Sequence, residues 1–180
     1  MHPMLPNFVL VGFMGCGKST VGRRLASTTG HRFIDTDDLI VKDQGKSIPA
    51  IFAEQGEEKF RDIEKNIIAN LVGVAGVVLS TGGGAILQEA NRESLKKIGI
   101  VIWLDASPDV LFERAMRSGR RPLLQTADPR ASFDALLEAR RAIYETLADF
   151  RFDSTGIQHE EVARRILDLA MRHHAARPTI

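Results

Sequence analysis

Short apolar blocks punctuate this chain, and longer stretches of mixed apolar and polar residues lie between them. Phe8-Val9-Leu10-Val11, Val77-Val78-Leu79 and Ile100-Val101-Ile102-Trp103-Leu104 are continuous apolar runs of strand length. A run without alternation fits a strand covered on both faces, as in a parallel sheet packed between helices. The pattern predicts strands over 7–11, 32–34, 77–79 and 100–104, with a short one near 151–153. Helical spacing predicts helices over 18–28, 36–43, 48–54, 57–71, 88–97, 108–116, 132–148 and 160–174. Ser107 followed by Pro108 marks a helix start, as does Ser47 with Pro49 close behind. Strands and helices alternate, so the expected fold class is α/β, with a central parallel sheet flanked by helices.

Two segments interrupt the alternation. One is the helical stretch over about 36–72, expected to form a lobe on the core. The other, about 117–130, is rich in Arg and Pro and would suit a mobile lid. The 180 residues otherwise suit a single domain, 1–180, long enough to bury a core.

Composition narrows the function classes. A formal net charge of +1 gives no global electrostatic case for nucleic acid or for an anionic membrane. No apolar run approaches a membrane span, and none resembles a targeting signal. The one cysteine, Cys16, rules out an intramolecular disulfide and fits a reducing compartment. A cytoplasmic protein acting on small molecules is expected, and the lack of a long apolar heptad favours a monomer. His173-His174 could ligate a metal or simply sit on a solvated helix end, and the tail from His174 is expected to fray.

The densest chemistry lies between Phe8 and Thr20, FVLVGFMGCGKST. Gly12, Gly17, Lys18 and Ser19 satisfy G-x-x-x-x-G-K-[ST], between a predicted strand and a predicted helix. Glycines let the backbone curl so that successive N–H groups face phosphate oxygens. The following helix aims the positive end of its dipole at the same place. Lys18 would reach the β- and γ-phosphates, and the Ser19 hydroxyl would ligate Mg²⁺. Cys16 lies where a small side chain is needed. A thiolate there would be repelled by phosphate, so Cys16 is read as space-filling. The motif points to a purine nucleoside triphosphate and leaves the reaction open.

Other candidates follow strands, where open α/β sheets bind ligands. Asp35-Thr36-Asp37-Asp38 could hold Mg²⁺ through water and accept a hydroxyl proton, or could simply begin a helix with a cap and acidic first turn. Thr81-Gly82-Gly83-Gly84-Ala85 offers close approach and N–H donors to an anion such as a carboxylate. Ser80 stands where an acid could close the strand for Mg²⁺, which leaves Asp35 as the candidate. Arg61 could bind a carboxylate in bidentate fashion with Glu64 pinning it, or the two could form an ordinary surface pair. Arg120-Arg121 lie in the lid segment, where Arg121 could stabilise charge on a transferring phosphoryl group, and Arg140-Arg141 supply another basic pair on a helix; each could instead be a solvated face.

In order, GFMGCGKST, FIDTDDLI, FRDIE, STGGGAI, RRPLL and ARRAIYE resemble the shikimate kinase family, from Phe8 to Tyr144. The resemblance implies a P-loop NTPase fold of nucleoside-monophosphate-kinase type with core, substrate lobe and lid. It also implies the reaction of ATP with shikimate to give ADP and shikimate 3-phosphate. By match to the family's motifs, Gly15, Cys16, Gly17, Lys18, Ser19 and Thr20 would hold the ATP phosphates, and Ser19 and Asp35 the Mg²⁺. Asp37 would bind shikimate hydroxyls and act as general base. Arg61, Arg140 and the Gly83 backbone would bind the shikimate carboxylate. Lys18 and Arg121 would stabilise the phosphoryl group in flight, and Arg114 would lie against the adenine. The chain has Arg141-Ala142 where the family often has a small or polar residue and a proline; counting back from Tyr144 places the carboxylate-binding arginine at Arg140.

Three other readings compete. A gluconate kinase would share the phosphate loop, but the expected carboxylate clamp and Asp-Thr-Asp speak against it. A nucleoside monophosphate kinase would not call for Asp37 near the transferred group. A GTPase switch would carry Asn-Lys-x-Asp, which this chain lacks.

Overall fold

The computed structural model describes residues 5–117 and 124–176. Its elements run β1 (Phe8–Val11), α1 (Lys18–Thr29), β2 (Arg32–Asp35), α2 (Thr36–Gln44), α3 (Ile48–Ala69) and β3 (Val77–Ser80). A 3-10 turn (Ala85–Leu87) follows, then α4 (Glu89–Ile98), β4 (Ile100–Asp105), α5 (Pro108–Arg117), α6 (Pro129–Leu147), β5 (Phe150–Asp153) and α7 (His159–Ala176). The five strands form one sheet in the order β2-β3-β1-β4-β5, and every neighbouring pair is parallel.

Burial explains why the strands read as they do. Every residue of β1, β3 and β4 is buried, so these strands are apolar runs apart from the polar ends Ser80 and Asp105. The edge strands β2 and β5 are only partly covered, and their sequences are mixed. The chain leaves β1 toward β2 on one side, and β3 crosses to β4 on the other. This reversal opens a crevice over the carboxyl ends of β1, β3 and β4. Register brings those ends level, with Leu10 opposite both Ser80 and Ile102, and Asp35 opposite Ser80.

Several element boundaries differ from the sequence expectation, each for a local reason. Asn7 was expected to open β1, but its side chain ties strands to helix ends instead. Its Nδ2 donates to the carbonyls of Val74 (2.6 Å) and Ile98 (2.9 Å), and its Oδ1 accepts from Val77 N (3.0 Å). Helix α6 begins at Pro129, not 132, because Asp128 accepts from Ala131 N at 3.0 Å and Pro129 occupies the first turn. The two helices expected over 48–54 and 57–71 are both present within α3, separated by a kink at Gly56, where φ is 79° and ψ is 172°. Helix α7 continues through Ala176, past the point where fraying was expected. Residues 118–123, with Arg120, Arg121 and part of the expected lid, lie outside the described residues.

Most of the core surrounds the sheet, but α2 and α3 bury a second cluster of Ile40, Ile51, Phe60 and Ile63. That cluster lets α2 and α3 carry their own side chains over the crevice.

The turn after β1 depends on Gly12. Its φ is +151°, and a Cβ there would lie 2.2 Å from the Leu104 carbonyl oxygen and 2.8 Å from Cys16 Sγ. The carbonyl belongs to the interior strand β4 and cannot yield cheaply. Gly12→Ala is expected to cost about 3 kcal/mol, read as a fall in the denaturant midpoint with an unchanged slope. An unaltered midpoint would show that the turn relaxes freely.

Candidate active site

Two loops meet over the sheet. The first joins β1 to α1. Gly15 and Gly17 adopt left-handed backbone (φ 81° and 90°), and Gly17 caps α1 with no side-chain hydrogen bond. The first N–H groups of a helix have no partner within it, so the start of α1 is a cradle for an anion. Lys18 folds back across this loop, its Nζ donating to the carbonyls of Gly12 (2.7 Å) and Phe13 (3.2 Å). Helix α5 backs the loop closely, since a Cβ on Gly15 would lie 2.5 Å from the Leu111 carbonyl oxygen. Arg114, on the same helix, has a buried Nη1 with no hydrogen-bond partner among the described residues.

Asp35, at the end of β2, faces this loop. Its Oδ2 accepts from Ser19 Oγ at 2.9 Å, while its Oδ1 accepts from Asp37 N at 3.1 Å and caps α2. The capping and metal-supporting readings of Asp35 are therefore compatible, because they use different oxygens. Two hard oxygen donors beside a phosphate cradle fit Mg²⁺, which takes few protein ligands and completes its shell with phosphate and water. Among the described residues no group of three or more His, Cys, Asp or Glu could hold a metal unaided.

The second loop follows β3. Thr81 anchors it, donating from N (3.2 Å) and Oγ1 (3.3 Å) to the Leu10 carbonyl. Gly82 N donates to Thr36 Oγ1 at 3.0 Å. A Cβ on Gly82 would lie 2.7 Å from Asp37 Oδ1, and one on Gly84 would lie 2.6 Å from Arg61 Nη2. The Gly83 carbonyl accepts from Arg140 Nη1 (3.1 Å) and Tyr144 Oη (3.3 Å). The glycine loop is therefore flanked by two guanidinium groups from different helices. It also adjoins the phosphate loop: a Cβ on Gly83 would lie 4.0 Å from both Gly12 O and Met14 N.

Arg61 is not in an ordinary surface pair. Its Nη1 donates to Glu64 at 2.8 Å, and the Glu64 side chain is only 1% exposed. Burial pushes the Glu64 carboxyl above the ordinary glutamate value of 4.5; Arg61 opposes that shift and the nearby Asp37 charge adds to it. Arg140 is likewise mostly buried, and its guanidinium lies over the Phe13 ring, 5.3 Å from the centroid. Arg141 turns away, toward Glu138 and the Trp103 ring, so Arg140 is the arginine at the loop.

The structure thus gathers Gly15, Cys16, Gly17, Lys18, Ser19 and Thr20 with Asp35 at one end of the crevice. It gathers Asp37, Arg61, Gly83 and Arg140 at the other. Arg114 lies on the helix behind the first loop, and Arg121 lies outside the described residues. Three participants were missed. Thr36 and Tyr144 hold the glycine loop, and the His159 ring packs over Gly17, with a Cβ there only 3.3 Å from its Nε2. Thr36 sat within a motif already singled out, and Tyr144 lies four residues after Arg140 on α6. Nothing in the sequence signals the contact of His159.

Comparison with known proteins agrees with this geometry. A family model described as shikimate kinase matches residues 14–170. A shikimate kinase of Symbiobacterium thermophilum is 44% identical over 164 residues, covering 90% of this chain and 94% of that protein. The structure of shikimate kinase from Acinetobacter baumannii in complex with shikimate is 40% identical, with a TM-score of 0.88 over 93% of this chain and 94% of that one. A gluconokinase from Sinorhizobium meliloti, 21% identical with a TM-score of 0.60 over 96% of this chain and 98% of that one, shares the fold alone.

The Glu64 environment has a measurable consequence. Because its folded-state pKa is raised, the unfolded chain ionises first. The contribution of Glu64 to stability is full below about pH 4.5 and falls as the pH rises through the folded value. The stability of the unmodified protein relative to Glu64→Gln is therefore expected to fall as the pH rises above about 4.5 in denaturant titrations. A pH-independent difference would contradict the burial argument.

Proposed function

The chain belongs to the shikimate kinase family, and from that premise we propose how its own residues divide the work. The enzyme is an ATP-dependent kinase that moves the γ-phosphoryl group of ATP to shikimate, giving ADP and shikimate 3-phosphate on the route to chorismate. The observation that carries the assignment of roles is the glycine loop between Arg61 and Arg140, beside the phosphate loop.

Shikimate is a small polyol carboxylate. Its carboxylate calls for bidentate donors, which Arg61 and Arg140 offer with the Gly83 backbone. Glu64 holds Arg61 from a buried position, so less side-chain entropy is lost when the acid binds. Asp37 faces the same loop from α2, binds shikimate hydroxyls and accepts the proton of the attacking hydroxyl. At the other end, the loop from Gly15 to Thr20 holds the ATP phosphates. Lys18 releases its contacts to Gly12 and Phe13 and follows the transferring group. Ser19 and Asp35 would hold Mg²⁺, which when bound neutralises charge on the phosphates. Arg114 lies against the adenine. Arg121, in a lid over about 117–130, adds positive charge as the site closes and excludes water. Helices α2 and α3, over about 36–72, form the substrate lobe of a single domain spanning 1–180.

The protein works as a cytoplasmic monomer on ATP and shikimate, without nucleic acid or membrane partners. Among the described residues no helix is long and apolar enough to cross a membrane.

Two measurements test this reading. ADP release from Mg·ATP is expected to depend on shikimate, with gluconate and a nucleoside monophosphate inactive. Release with a different acceptor would keep the phosphate loop and overturn the substrate. Asp37→Asn is expected to lower kcat at least about 100-fold while ADP affinity is unchanged. Retained turnover would remove Asp37 as the base.

A further inference from the structure

Tyr144 is absorbed by no step above, yet it is fully buried at the edge of the substrate site. Its hydroxyl donates at 3.3 Å to the Gly83 carbonyl that Arg140 also engages. Tyr144 and Arg140 are four residues apart on α6, so both reach the loop from one helix face. The tyrosine ring is fixed from behind by Trp103, with centroids 5.5 Å apart and planes 18° from parallel. Burial pushes the hydroxyl well above its ordinary pKa, so it remains a donor throughout the working pH range.

Two donors on one carbonyl fix a peptide plane. The Gly83–Gly84 peptide is trans, so its N–H points away from the side that Arg140 and Tyr144 occupy. No backbone carbonyl among the described residues accepts from the N–H groups of Gly83 and Gly84. Glycine has little intrinsic preference between peptide orientations, so the loop needs outside restraint to present those donors. Arg140 cannot supply it alone, because the same guanidinium must also meet the substrate.

We propose that Tyr144 is a positioning residue of the carboxylate clamp: it holds the Gly83–Gly84 peptide and keeps Arg140 free to bind shikimate. This rests on the shikimate kinase reading above. The test is Tyr144→Phe, which keeps the ring and its stack on Trp103 and removes one donor. Shikimate KM, and shikimate Kd by calorimetry, are expected to rise on the order of fivefold, with kcat and ATP KM within about twofold. Unchanged shikimate affinity would overturn the proposal. So would an equal loss for ATP and shikimate with a lowered melting temperature, which would mark a purely structural tyrosine. Absence of shikimate binding by the unmodified protein would instead overturn the reading on which the proposal rests.

Discussion

The site depends on side chains that are missing from Gly82 and Gly84. A Cβ at either position would collide with Asp37 or Arg61 at under 3 Å. Their absence lets a carboxylate, a guanidinium and a bare stretch of backbone occupy one small volume. The rest of the local structure serves that approach. Thr81 fixes the loop to β1, Thr36 fixes it to α2, and Glu64 holds Arg61 in place from the buried side of α3. A buried carboxylate is costly unless paired and hydrogen-bonded. Glu64 is tolerable only because Arg61 meets it at 2.8 Å, and Arg61 in turn is held against the glycine loop at Gly84.

The sheet supplies the second constraint. Its parallel order sends chain connections to opposite sides at β1, and the two functional loops emerge side by side at that reversal. The phosphate loop and the glycine loop lie close together: a Cβ added to Gly83 would be 4.0 Å from both Gly12 O and Met14 N. A donor and an acceptor held by those loops would be neighbours before any closure. The gluconokinase likeness shows that this frame can be shared at 21% identity. In this account the acceptor is chosen by the clamp and not by the frame.

Legibility in the sequence followed the range of the interactions. Lys18 and Ser19 were plain because the phosphate loop is contiguous, and the buried strands were plain because their apolar runs are uninterrupted. The Arg61–Glu64 spacing was visible, but the burial that separates it from a surface pair comes from a loop some twenty residues away, which no local pattern encodes. Counting back from Tyr144 already separated Arg140 from Arg141, and in the folded chain Arg140 faces Gly83 while Arg141 faces Glu138. Tyr144 entered only as the end of a motif, because its hydroxyl finds a partner 61 residues away. The start of α6 was missed although Asp128-Pro129 is a cap followed by a favoured first-turn proline. That signal was present and outweighed by the apolar pattern that begins later.

We propose that two guanidiniums across a bare glycine loop select a carboxylate. The most direct measurement is calorimetric binding of shikimate beside its methyl ester, which keeps the ring and hydroxyls and removes the charge. Binding of the ester at least about 100-fold weaker than the acid is the result this account requires. Equal affinity for the two would show that the hydroxyl contacts carry recognition, and that Arg61 and Arg140 serve the fold and not the substrate.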